Sequence, residues 1–267
     1  MSEFWSKTRA GDPLRGEVVI DCHTHMGPWF NFFIPKDPWA EGMIASMDTC
    51  GIQKVVCSPH VAIGSDTPWG NDLVAEAVRR FPDRFAGYCT VNPNYPEREM
   101  LDELERHITR GTLCGIKVHP TVHLYPADGP NYSPMWAFAH ERELPVLVHT
   151  WESDRLCGPL MFAGIGRAYP KAQILLGHSG ASAVGMDQSI VSARESENVY
   201  LDLTASYLPY GMLEVMVASV GADRVLFGTD VPFLDGRPKV GQIASARISD
   251  EDKRKIFGLN TRRLFRL

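Results

Sequence analysis

Val18-Val19-Ile20-Asp21-Cys22-His23-Thr24-His25 is a β-branched run that ends in His-x-His. Pro145-Val146-Leu147-Val148-His149, Gln173-Ile174-Leu175-Leu176-Gly177-His178 and Arg224-Val225-Leu226-Phe227-Gly228-Thr229-Asp230 repeat the pattern. Each time, an apolar run of strand type leads to a metal-competent side chain at its end. Side chains alternate faces along a strand, so His23 and His25 share a face and can grip one cation together. Imidazole and carboxylate suit zinc and similar borderline metals. Histidines scattered through a core for packing would not fall at the ends of separate apolar runs.

Working outward, strand-like runs begin near Val18, Lys54, Phe85, Gly115, Pro145, Gln173, Val199 and Arg224. Their spacing is roughly 25 to 35 residues, about the length of a βα unit. Helical patterns fill the gaps. Asn71 to Arg80 is amphipathic and is stopped by Pro82. Glu97 to Arg110 sets Met100, Leu101, Leu104 and Ile108 on one side and ends at Gly111. Eight buried strands alternating with helices predict a parallel sheet closed into a (β/α)₈ TIM barrel, an α/β fold. No linker rich in Ser, Gly or charge divides the chain, so one domain over 1–267 is expected.

A barrel of this kind carries its active site at the C-terminal ends of the strands. His23, His25, His149, His178 and Asp230 then converge on one mouth from strands 1, 5, 6 and 8. Strand 4 adds Lys117 and His119, again two apart and so on one face. Long connections after strand 1 (Gly27 to Trp39), strand 2 (Pro59 to Gly70) and strand 4 (Pro120 to Pro134) are rich in Trp, Phe, Tyr and Pro, which suits a pocket roof.

Composition narrows the class. The 267 residues are 44% hydrophobic and 22% charged with a net charge of −5, so there is no basic footprint for nucleic acid. No apolar run approaches the roughly 20 residues of a membrane helix. The N-terminal Met1 to Lys7 has no hydrophobic stretch behind its lysine, so no signal peptide is expected there. The six cysteines form no C-x-x-C pair, and Cys22, Cys57, Cys89 and Cys114 fall in predicted strands, where free thiols act as small apolar groups. A cytoplasmic enzyme with a small-molecule substrate is expected, with a homodimer as its possible assembly.

The ordered set resembles the amidohydrolase superfamily, in its amidohydrolase-related branch of TIM-barrel metal-dependent hydrolases that also holds the aminocarboxymuconate-semialdehyde decarboxylase type. The stretches that carry the resemblance are Ile20 to His25, Ile116-Lys117-Val118-His119-Pro120, Val148-His149-Thr150, Leu176-Gly177-His178-Ser179-Gly180 and Phe227 to Phe233. Gly258 to Phe265 resembles the branch's last helix. The resemblance implies that His23, His25, His149 and Asp230 hold one divalent metal, zinc or alternatively manganese, while His178 acts on water or substrate. Two positions depart from the decarboxylase pattern. Lys117 stands where that type has no ligand; in two-metal members of the superfamily a carboxylated lysine there bridges a second ion. Ala181 replaces a glycine that often follows the strand 6 histidine.

A zinc-like ion with an open position lowers the pKa of bound water toward about 7. Asp230 beside it can take a proton and return it to a leaving group, and His178 can polarise a carbonyl. Lys117, His119 and Trp151 are candidate substrate contacts. Trp29, Phe30 and Phe33 could also stack on a planar substrate, and Asp202 could hydrogen-bond a metal-bound histidine. His60, His107, His123 and His140 read as ordinary surface residues of loops or helices. The leading expectation is a hydrolase of a small amide, lactone or ester. Its rival is a decarboxylase of an unsaturated or aromatic acid, which should hold the carboxylate with an arginine, Arg155 or Arg237. A catalytically silent binding protein is the third reading, against which the intact ligand set argues.

Overall fold

The computed structural model describes residues 2–204 and 207–267. Eight parallel strands follow one another around a nearly closed barrel in sequence order: β1 (Ile20–Met26), β2 (Lys54–Pro59), β3 (Phe85–Thr90), β4 (Gly115–Val118), β5 (Pro145–His149), β6 (Gln173–Gly177), β7 (Val199–Asp202) and β8 (Val225–Leu226). The TIM-barrel expectation holds. Six strands begin where the apolar runs begin; β1 starts two residues late and β8 one residue late. The ends of the sheet meet through backbone bonds: Cys22 N donates to Phe227 O at 2.9 Å, and His25 N to Val231 O at 3.0 Å. The buried Asp21 carboxylate joins the same seam, accepting from the backbone N–H of His23 and of Thr229.

The helix Thr67–Arg80 extends the predicted amphipathic segment by one turn, because Asp66 caps it by accepting from Trp69 N. The second predicted helix is α-helical over Glu97–Leu104 and continues as a π-helical turn over Glu105–Thr109. The roof segments are partly helical, with short turns at His60–Ile63, Pro120–His123 and Pro130–Tyr132.

Two apolar layers result. One lies between strands and outer helices; the other fills the barrel, where Cys22, Tyr88, Leu147, Leu175 and Leu226 pack above Leu264 and Phe265 of the last helix. The pairing of β1 with β2 shifts register between Asp21 and Thr24. Cys22 thus joins the interior layer while His23 and His25 serve the mouth above it. Tyr88 spans these levels, its hydroxyl donating to the Cys22 carbonyl at 2.6 Å. Among the described residues no helix is long and apolar enough to cross a membrane.

All six cysteines are free thiols and five are buried. Burial pushes Cys57 and Cys157 up to about 12 and Cys114 to about 11. The native protein at pH 8 should therefore react with Ellman's reagent at no more than one thiol within minutes, and at all six after denaturation. Rapid reaction of several native thiols would show that the strands are not packed in this way.

Candidate metal centre and active site

His23 on β1 is fixed from behind by Asp202 at the end of β7. Its Nδ1 lies 2.6 Å from Asp202 Oδ2, and both side chains are fully buried. His25 donates from Nδ1 to the Ser58 carbonyl at 3.0 Å. With both Nδ1 positions so engaged, each ring presents its Nε2 lone pair. These lone pairs converge on Asp230 Oδ1, at 3.4 Å from His23 and 3.5 Å from His25. Asp230 Oδ1 is buried and has no hydrogen-bond partner among the described residues. A buried carboxylate oxygen facing two imidazole acceptors is costly unless a cation lies between them.

The three donor atoms lie within 4.8 Å of one another, so His23, His25 and Asp230 fit a divalent ion. Burial holds both histidines well below their ordinary pKa, in the neutral form that ligation needs.

Two glycines make room for this arrangement. A Cβ on Gly177 would stand 3.0 Å from His23 Cε1 and 2.7 Å from the Val148 carbonyl. One on Gly228 would stand 2.9 Å from His23 Cβ, 2.5 Å from Asp202 Oδ1 and against Thr204 Oγ1. The Gly177-His178 and Gly228-Thr229-Asp230 pairings in the sequence thus have a steric reason.

His178 and Asp230 both adopt the left-handed backbone region, with φ of 66° and 63°. Such residues are uncommon outside glycine and concentrate at functional sites. Ala181, at φ 64°, occupies the same region, which gives a physical reason for glycine at that position.

His178 Nδ1 lies 2.8 Å from the Thr204 carbonyl and so donates to it. Its Nε2 must then accept, and His149 Nδ1 lies 3.0 Å away as the donor. His149 is therefore held by His178, and the structure does not bring it into the three-donor group. Burial draws His178 down to about 4 and His149 downward as well, so the relay is neutral.

Lys117 Nζ lies 3.3 Å from His23 Nε2, fully buried, and burial lowers its pKa despite the neighbouring Asp230 and Asp202. His119 stacks on His149 with ring centres 3.9 Å apart, and Trp151 lies parallel on the same ring at 5.9 Å. His119, His149 and Trp151 line a cavity of about 370 Å³ whose walls also include Trp29, Phe32, His60 and Phe233.

Several sequence expectations need correction. His60, His107 and His123 are buried, not surface residues, and only His140 is partly exposed. His60 lines the cavity and donates from Nδ1 to the Gly27 carbonyl at 2.8 Å; His123 is bonded to Tyr132 and Ile63. For His60 and His123, hydrogen-bond partners on other residues make burial tolerable, and local sequence does not show those partners. Arg155 is exposed, and Arg237 is exposed and paired with Asp235, so neither lines the cavity. Phe33 is 89% exposed and lies outside it too.

Sequence reasoning missed Lys239, buried on the helix Gly236–Ser245, whose Nζ has no partner among the described residues. Burial lowers it to about 8 while the charges of Asp202 and Asp230 oppose that shift. The Pro238-Lys239 setting after β8 reads as a solvent-facing helix start, and nothing in it signals burial.

The chain belongs to the amidohydrolase family, whose model matches residues 20–267. The γ-resorcylate decarboxylase of Polaromonas sp. (strain JS666) is 26% identical over 280 residues, covering 85% of this chain and 83% of that protein. A crystal structure of 2,6-dihydroxybenzoate decarboxylase complexed with 2,6-dihydroxybenzoate superposes with a TM-score of 0.72 at 22% identity, over 95% of this chain and 99% of that one. The dihydroxybenzoic acid decarboxylase of Polaromonas sp. JS666, with bound manganese and 2-nitroresorcinol, has a TM-score of 0.71 at 22% identity, over 94% and 97%. The likeness to these two structures is one of fold.

The His23→Ala/His25→Ala double variant should purify without divalent metal. Asp202→Asn, which leaves both donors in place but releases His23, should weaken metal affinity about 10- to 100-fold. Metal titration with elemental analysis measures both, and full retention in the double variant would remove the assignment.

Proposed function

We propose that this chain is a metal-dependent decarboxylase of a small aromatic acid. The observation that carries the reading is a cavity walled by imidazole and indole rings and lined by two of the three convergent metal donors, His25 and Asp230. The decarboxylases among its relatives support it over hydrolysis of an amide, lactone or ester, which the donor set alone favours equally. One ion, manganese or zinc, is proposed in preference to two, because among the described residues His23, His25 and Asp230 form the one convergent donor group.

A divalent ion held by His23, His25 and Asp230 would draw the acid's carboxylate and an adjacent hydroxyl oxygen to the cavity floor and stabilise negative charge there. Among the described residues no arginine lines the cavity, and Lys117, with Nζ 3.3 Å from His23 Nε2, would supply an ammonium beside the metal donors. The stacked His119 and His149 and the rim Trp151 hold the ring plane.

Decarboxylation breaks the bond from ring carbon to carboxylate, leaves the electron pair on the ring and requires a proton at that carbon. Asp230 is suited to deliver it. Oδ1 faces the histidine lone pairs, while Oδ2 lies 3.7 Å from His178 Nδ1. Oδ2, the oxygen on the His178 side, is the one that would carry the proton. His178, with one ring nitrogen on the Thr204 carbonyl and the other on His149, sets the position of His149 in the cavity wall.

Incubated with manganese and 2,6-dihydroxybenzoate, the protein should release carbon dioxide and resorcinol, and a parallel panel of lactones, esters and amides should be left intact. Hydrolysis of that panel without any carbon dioxide release would replace this reading. His178→Asn should keep the ion and lose about 10²- to 10⁴-fold in turnover. Asp230→Asn should lose turnover and metal affinity together, since its two oxygens have separate duties. Rates and metal content measured on the same preparations decide this; loss of the ion in His178→Asn with Asp230→Asn unaffected would reverse the roles.

A further inference from the structure

His119 follows directly on β4, two residues beyond Lys117 and on the same face, so its side chain stands about 6.6 Å nearer the mouth. It lines the reaction cavity, with one ring face stacked on His149 at 3.9 Å and 13°. We infer that His119 selects the substrate's ring substituent, its Nε2–H donating a hydrogen bond to an oxygen at the ring position opposite the carboxylate. Where the carboxylate lies follows the decarboxylase reading; where the donor points follows from the protein alone.

The backbone sets the tautomer. His119 caps the turn Pro120–His123, and its Nδ1 accepts from the Val122 backbone N–H at 3.4 Å. A backbone N–H can only donate, so Nδ1 carries the lone pair and the neutral ring carries its proton on Nε2. Burial and the neighbouring His149 hold the ring well below its ordinary pKa, in that neutral form. Nε2 has no hydrogen-bond partner among the described residues, and it is not one of the fully buried atoms left without one, so it opens to the cavity. The turn behind it is tied down on three sides, which fixes the direction of the donor. His123 is bonded through Nδ1 to the Tyr132 hydroxyl at 2.8 Å and through Nε2 to the Ile63 carbonyl at 3.2 Å, and the Thr121 hydroxyl donates to Asp154. A hydrocarbon substituent placed against this N–H would leave it unpaired, whereas an oxygen satisfies it. The two-residue step along β4 is comparable to the span of a benzoate from its carboxylate to the opposite ring position. An acid whose carboxylate lies beside Lys117 can therefore set its far substituent at His119.

Two amide side chains separate the ring's two duties. His119→Asn brings an oxygen to the Nδ1 position and keeps the cap, while His119→Gln brings an N–H to the Nε2 position and keeps the donor. The first readout is quenching of tryptophan fluorescence by 4-nitroresorcinol and by 5-methyl-2-nitrophenol, with manganese present. In both probes a nitro group stands in place of the carboxylate, so nothing can be lost as carbon dioxide. They differ at the opposite ring position, which carries a hydroxyl in the first and a methyl in the second. Wild type and His119→Gln should bind 4-nitroresorcinol about tenfold more tightly than the methyl compound, and His119→Asn should bind the two alike. The second readout is the ratio of kcat/KM for 2,4-dihydroxybenzoate to that for 2-hydroxy-4-methylbenzoate, which should fall about tenfold in His119→Asn, chiefly through KM. A preference absent from wild type, or unchanged in His119→Asn, overturns the inference. A preference kept by His119→Asn and lost by His119→Gln also overturns it, making His119 the cap of its turn and nothing more. A binding preference that follows the donor, with no carbon dioxide released from any acid, keeps the donor assignment and removes only the decarboxylase reading.

Discussion

The contact between His23 and Asp202 organises this site. At 2.6 Å and fully buried, it fixes the tautomer, so Nδ1 donates and Nε2 is left as a ligand atom. The geometry around it follows from strand ends that must approach closely. Gly177 and Gly228 supply the space, and Cys22 and Tyr88 fill the level beneath. Asp202 is itself held: its Oδ1 accepts from the Thr204 backbone N–H at 3.0 Å and the Thr204 hydroxyl at 2.8 Å. A carboxylate buried this deeply is tolerated because every face of it meets a donor.

The mouth concentrates charge that the rest of the barrel avoids. Asp21, Asp202, Asp230, Lys117 and Lys239 are all nearly or fully buried. Burial raises the carboxyl pKa values, Asp21 to about 8, and lowers those of the lysines. Such a set is costly for folding unless its members compensate one another or a bound ion. The unpartnered Asp230 Oδ1 shows where compensation inside the protein is incomplete. Backbone strain falls in the same place, at His178, Ser179, Ala181 and Asp230, all at positive φ.

The division of labour among the histidines has one physical basis, which is the partner each Nδ1 finds. Asp202 and the Ser58 carbonyl turn His23 and His25 into ligands. The Thr204 carbonyl turns His178 into an acceptor and so recruits His149 as its donor. The Gly27 carbonyl makes His60 a fixed part of the cavity wall. One residue type thus performs three tasks, selected by what stands behind each ring.

Local sequence determined the barrel. Apolar runs at βα spacing placed six of the eight strand starts, because period and burial are properties of a short window of chain. Alternation along β4 likewise placed Lys117 and His119 on one face, where Lys117 meets His23 and His119 lines the cavity. The pairing of Asp202 with His23 was legible as a possibility, since a carboxylate at a strand end faces the same mouth as the histidines. Tertiary structure alone decided the rest. It withheld His149 from the donor group, buried His60 and Lys239, and left Arg155 and Arg237 outside the cavity. Those outcomes depend on distances between segments far apart in the chain, such as the 179 residues separating His23 from Asp202. A residue's own neighbours encode which face it shows, whereas the partner it meets there is set by where the closed barrel brings the other strands and loops.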